Sequence, residues 1–209
     1  MSERTTDVLS TRFGSVPVWL VALVGVVVLV ALPMALDAFW TRIGLGALMW
    51  IGLAQSWNMI GGYAGYLDFG HGAYFGIGAF ATGAVMVSFE LPFLAGFVVA
   101  AAAAAVIAYL VAVPTLRLTG AYFAIATWAL AEAFKQLALN LDITGGTFGL
   151  SLPTTATSFG LPVGELSTTL FYYLMLILCL ATIAVSYVLF ERSKFGFRVK
   201  ALRDDEDAA

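Results

Sequence analysis

The chain has 209 residues, of which 61% are hydrophobic and 11% charged, with a formal net charge of −3. Soluble domains average about 25% charged residues, so this chain has too few polar side chains to cover a surface facing water, and lipid is the expected solvent. No basic patch interleaved with aromatics occurs, which excludes a nucleic-acid interface.

A helix crosses about 30 Å of hydrocarbon with roughly 20 mostly apolar residues. Six stretches meet that need, at about 16–36, 43–60, 67–88, 91–113, 118–139 and 167–190. The expected fold is all-α, a polytopic integral membrane protein of about six transmembrane helices. Residues 1–15 form an N-terminal segment, 16–190 the membrane domain and 191–209 a C-terminal segment. The first span follows Arg4 and Arg12. Its apolar run is longer than the ~7–15 residues of a signal-peptide core and no small-x-small cleavage site follows, so it reads as a retained span.

The second span ends with Gln55 and Asn58, three residues apart. The third is unusual: Gly61 to Gly83 holds eight glycines in 23 residues. Gly72, Gly76, Ala79 and Gly83 share one helical face, where small residues let helix backbones approach closely. A tightly packed helix is one reading. A broken or re-entrant helix lining a pathway is the other, because irregular backbone at membrane depth is tolerated only beside protein or water. Asp68 and His71, at the start of this span, share a face if the segment is helical. Ionisable groups inside a membrane are costly and point to function. The plain alternative is that they anchor the helix at the headgroups.

The fifth span carries Glu132 with Lys135 one turn later, either an ion pair of one helix or a pathway carboxylate. Tyr122 and Trp128 read as packing or interfacial-belt residues. Cys179, in the sixth span, is the single cysteine, which rules out an intrachain disulfide. One histidine, no Cys/His cluster and no phosphate-binding loop leave neither a metal centre nor a nucleotide site, so no cofactor is expected.

Lys/Arg bias in short loops orients the spans. With the N-terminus cytoplasmic, the inner flanks hold Arg4, Arg12, Arg117, Arg192, Lys194, Arg198, Lys200 and Arg203, eight against Arg42 and Lys135 outside. Both termini are therefore expected in the cytoplasm, and the 140–166 loop, with no Lys or Arg, outside.

Four stretches in order carry a resemblance. Within Ser56–Phe80 lies Gly61-Gly62-Tyr63-Ala64-Gly65-Tyr66-Leu67-Asp68-Phe69-Gly70-His71-Gly72. The others are Leu116-Arg117-Leu118-Thr119-Gly120-Ala121-Tyr122-Phe123-Ala124-Ile125-Ala126-Thr127, followed by Glu132; Thr144-Gly145-Gly146-Thr147-Phe148-Gly149-Leu150; and the tail Arg192–Ala209. Together they resemble the inner-membrane permeases of branched-chain amino acid ABC importers, although Tyr66 and Asp68 stand where that family usually has Gln and Ser. The resemblance implies a transport subunit rather than an enzyme. It implies a second homologous permease subunit, two ABC ATPase subunits that hydrolyse ATP, and an extracytoplasmic substrate-binding protein, assembled in the inner membrane. Asn58, Asp68, His71, Gly72 and Glu132 become candidates for the substrate pathway. Arg198, Ala201, Leu202, Arg203 and Glu206 become candidates for ATPase coupling, on a short helix with Val199 and Leu202 along one face. Members of that family continue past this loop into further spans, so a truncated product, a fragment or a split permease is expected. A non-transporting fragment, or an ion-coupled carrier in which Asp68, His71 and Glu132 titrate, are the competing readings.

Overall fold

The computed structural model describes residues 18–151 and 168–204. Among these, every regular element is helical. α1 is Val18–Ala35, α2 Ala38–Gly61, α3 His71–Ser88, α4 Phe93–Thr115, α5 Gly120–Asn140, α6 Thr168–Ser186 and α7 Lys194–Asp204. A π-helical turn, Tyr187–Glu191, extends α6, and two short 3-10 turns, Asp142–Thr144 and Gly146–Phe148, follow α5. The predicted segment 1–15 lies outside the described residues.

Each predicted span has its helix, and the boundaries shift for local reasons. α4 starts directly after Pro92, whose fixed φ of −64° suits a helix entrance, and carries Pro114 in its final turn. α2 starts at Ala38 rather than near 43, because Thr41 bonds back to the Asp37 carbonyl through both its N–H (3.0 Å) and its hydroxyl (3.1 Å). The third span needs a larger correction. Residues 62–70 are not helical and α3 begins only at His71. The Asp68 carboxylate accepts the Gly70 N–H at 2.8 Å, and the Phe69 N–H goes to Thr127 Oγ1 at 3.2 Å. Such side-chain acceptors compete with the helical ladder for backbone donors. The span is thus a continuous helix with an irregular entrance.

Two segments, Phe93–Thr115 and Thr168–Glu191, are long and apolar enough by themselves to cross a membrane. Only 11% and 22% of their most apolar windows are buried, whereas the core helix of a soluble protein would be mostly buried. Large apolar side chains such as Val24, Val28, Val98, Leu110, Ile125 and Ile177 are exposed. That outward face is what hydrocarbon solvates.

The helices pack chiefly as two pairs, α3 with α4 and α2 with α6. In the second pair Leu48, Tyr172, Leu176 and Cys179 form a buried cluster flanked by Leu45 and Met175. Tyr172 donates its hydroxyl to the Leu29 carbonyl at 2.8 Å and Tyr173 donates to Val30 at 3.0 Å, which ties α6 to α1. In the first pair Gly96 lies close against α3: a Cβ there would stand 3.2 Å from the Thr82 carbonyl oxygen. On the expected small-residue face Gly83 is buried within this chain, whereas Gly72 and Ala79 are exposed, and a Cβ on Gly72 or Gly76 would meet nothing of this chain within 4 Å.

Between the two pairs lies an apolar cavity of about 350 Å³, lined by Leu45, Met49, Phe75, Phe97, Phe171 and Met175 among others. Among the described residues its lining offers no charged group to receive an amino acid's ammonium or carboxylate. The chemistry lies elsewhere, where the end of α2, the 62–70 link, the start of α3, the π turn and α7 come together.

Candidate functional site

The 62–70 link carries the polar groups into the helix bundle. Phe69 bonds Thr127, seven residues inside α5, which at 1.5 Å per residue is about 10 Å from that helix's start. The link therefore dips inward before α3 begins. Gly70 makes this possible, because a Cβ would stand 2.8 Å from the Thr127 carbonyl oxygen. Trp57 Nε1 donates to the Asp68 carbonyl at 2.7 Å, pinning the link to α2 from the other side. Thr127 in turn donates its hydroxyl to the Ala124 carbonyl at 3.0 Å, so that pin is itself held.

Three side chains meet there. The His71 Nε2 lies 2.6 Å from Ser56 Oγ, and His71 Nδ1 faces Asp68 Oδ2 at 3.7 Å. Asp68 is 5% exposed, whereas the His71 side chain keeps 21% exposure. Ser56 also lies 3.0 Å from the Leu53 carbonyl, to which its single hydroxyl hydrogen can be given. In that arrangement the imidazole donates from Nε2 and turns Nδ1 to the carboxylate. His71 Nδ1 is buried and makes no hydrogen bond, and the 3.7 Å to Asp68 Oδ2 is longer than one. Asp68 is held by Gly70 and Trp57, and His71 is the more exposed of the pair.

The start of α3 adds polarity of its own. The first N–H groups of a helix lack intrahelical acceptors and carry the positive end of its dipole. Here Ala73 N–H returns to the Gly70 carbonyl at 2.9 Å, and Gly72, exposed and without a Cβ, leaves the neighbouring amides approachable. An anionic group can thus come close beside His71, with the Asp68 carboxylate behind it.

The other predicted pathway residues are placed differently. Asn58 closes α2: its carbonyl accepts the N–H groups of Gly62 (2.9 Å) and Tyr63 (3.1 Å), and its side chain lies against Gly62. Glu132 does not join the cluster. Its carboxylate, 45% exposed, takes Lys135 Nζ at 3.2 Å and Gln136 Nε2 at 2.8 Å on its own helix. Asp68 and His71 meet although Asp68 precedes the helix. Ser56, Trp57 and Thr127 were not singled out from the sequence. The available signal was a hydroxyl or indole N–H inside an apolar run, which at membrane depth needs a partner.

The tail sits against the same link. Arg203 Nη1 donates to the Gly62 carbonyl at 3.2 Å, and Lys200 Nζ lies 3.0 Å from Glu191 and 5.3 Å from the Tyr63 ring centroid. Tyr63 stacks on Phe190 of the π turn at 4.6 Å. Val199 is buried, while Phe197, Arg198 and Ala201 are exposed on the opposite side of α7. α7 includes Leu202, whose side chain lies, with Glu206, outside the described residues.

Residues 41–209 match the family model described as the permease component of branched-chain amino acid transport systems. The high-affinity branched-chain amino acid transport system permease protein LivM of Escherichia coli K12 is 30% identical over 213 residues, covering 91% of this chain and 49% of the relative. The protein of the same name from Salmonella typhimurium is 35% identical over 141 residues, covering 65% of this chain and 32% of the relative. This chain spans at most about half the length of these curated relatives. No solved structure matches it.

Proposed function

Because this chain belongs to the family of permease components of branched-chain amino acid transport systems, we propose that it forms part of the transmembrane pathway of an ABC importer for branched-chain or related amino acids. A second homologous permease subunit completes that pathway, two ABC ATPase subunits hydrolyse ATP, and an extracytoplasmic binding protein delivers substrate. The observation that carries the reading is the irregular 62–70 link, which holds the buried Asp68 and the partly open His71 side by side. Discontinuous backbone at membrane depth, next to a helix start, is how transporter sites present charge to a zwitterion. In this reading His71 and the first amides of α3 receive the carboxylate, and Asp68 favours the ammonium. Glu132 keeps its ion pair on α5 and has at most an indirect part. Gly72, Gly76 and Ala79, left open on α3, suit close approach by the second permease subunit.

The test is uptake of radiolabelled leucine by cells expressing the complete importer. His71→Ala is expected to lower the initial rate about tenfold or more, the scale of losing one charge-assisted hydrogen bond in a closed site, with the amount of protein in the membrane unchanged. Native uptake by this variant would return His71 to an anchoring role and remove the site.

Orientation belongs to the same proposal. Lys/Arg bias supports cytoplasmic termini, and Arg203 meeting the end of α2 places that link on the α7 side. Cysteines introduced at Ser10 and Ala209 should resist an impermeant thiol reagent in intact cells. Labelling of either from outside inverts the assignment. The exposed Phe197, Arg198 and Ala201 then form the α7 face available to an ATPase subunit.

A further inference from the structure

We propose that Arg203 and Lys200 are positioning residues that latch α7 onto the α2–α3 link, so that displacement of α7 moves the backbone carrying Asp68. The resemblance makes Arg203 a candidate for ATPase coupling, and within this chain its guanidinium meets the Gly62 carbonyl. Its stem occupies the space above Gly65, where a Cβ would stand 2.7 Å from Arg203 Cγ. Gly65 also has φ +82°, a conformation that residues with a Cβ rarely adopt. The link is shaped to receive this side chain. Lys200 secures the next point, bridging Glu191 at the end of the π turn and lying over Tyr63. Tyr63 is in turn stacked on Phe190. α7, the π turn and the first half of the link thus make one polar and aromatic contact.

The second half of the link is pinned separately, by Trp57 on the Asp68 carbonyl and by Thr127 on Phe69. Between the two anchors run Ala64 to Leu67, where Tyr66 packs on Phe123 of α5 at 5.0 Å. Movement of one anchor is taken up over a few residues and reaches Asp68, whose carboxylate faces His71. α7 therefore has two working faces. Arg203 and Lys200 reach the link and Val199 is buried, while Phe197, Arg198 and Ala201 are exposed on the other side. That an ATPase partner moves α7 rests on the function proposed above. The latch itself is a property of this chain alone.

The Gly62, Tyr63 and Ala64 amides at the start of the link report on it, because each is hydrogen-bonded, the first two to the Asn58 carbonyl and the third to that of Ile60. The probe is their hydrogen-exchange rate, on the full purified chain in lipid nanodiscs. Arg203→Ala combined with Lys200→Ala is expected to raise the rate about three- to tenfold, since loss of an anchoring hydrogen bond shifts a local opening equilibrium by that order. Gly65→Ala removes the same contact from the other side and should give a rise of the same order. Arg203→Lys should recover part of the native protection, and Arg192→Ala, which removes a side chain engaged with Tyr187, should leave the rate unchanged. An unchanged rate in the double variant, or a rise in only one of the two disruptions, overturns the latch. The measurement uses neither substrate nor ATPase, so its failure leaves the permease reading standing, and failure of the uptake test leaves the latch standing.

Discussion

Replacing Tyr172 with alanine is expected to produce the largest loss of folded protein of any single substitution in the described core. Its side chain is fully buried, packed with Leu48, Leu176 and Cys179 between α2 and α6. The ring passes so close to Gly44 that a Cβ there would touch it at 3.0 Å. Truncating a buried aromatic ring to alanine costs about 3–5 kcal/mol in well-packed cores. In a membrane much of that cost is lost van der Waals packing, since lipid tails are as apolar as the core. Tyr172→Phe separates the hydroxyl from the ring. It removes only the bond to the Leu29 carbonyl, and interhelical hydrogen bonds in membranes are worth about 0.6 kcal/mol on average and up to about 1.7. Thermal unfolding of the purified protein in detergent should therefore rank native, Phe and Ala in that order, with a small first step and a large second one. A native-like midpoint for Tyr172→Ala would mean that this cluster does not hold α6 to α2.

Asp68 separates architecture from charge in the same way. Its Oδ1 accepts the Gly70 N–H inside the bundle, and a buried donor left without an acceptor costs about 1–3 kcal/mol. Asp68→Ala removes that acceptor and should loosen the link, so that hydrogen exchange at the Gly70 amide rises and uptake falls together. Asp68→Asn retains an acceptor oxygen of the same shape but not the negative charge. It should keep the link protected and still lose about tenfold or more of uptake, the scale expected when a charge-assisted contact is removed. Native uptake by the asparagine variant would show that Asp68 is only a turn-former, and the ammonium role would be withdrawn.

What the sequence determined by itself is the part of the fold that depends on local composition. Run length suffices for the number and order of the helices, because the apolar stretches are already set apart along the chain and each has its helix in the structure. The i, i+3 spacing of Glu132 and Lys135 likewise made their ion pair legible. The amphipathic tail was legible as a helix, although its inward anchor is Arg203 as well as Val199. The tertiary structure decided the rest. His71 finds Ser56 across 15 residues, Phe69 finds Thr127 across 58, and Arg203 finds Gly62 across 141. None of these partners lies within a helical turn of the other, so no periodicity announces it. The glycine-rich segment shows the same division. Its composition permits either a packed helix or an irregular link, and the choice fell to long-range acceptors for backbone N–H groups. At membrane depth water cannot satisfy those groups, so whichever distant side chains the fold brings into reach decide where the helix begins.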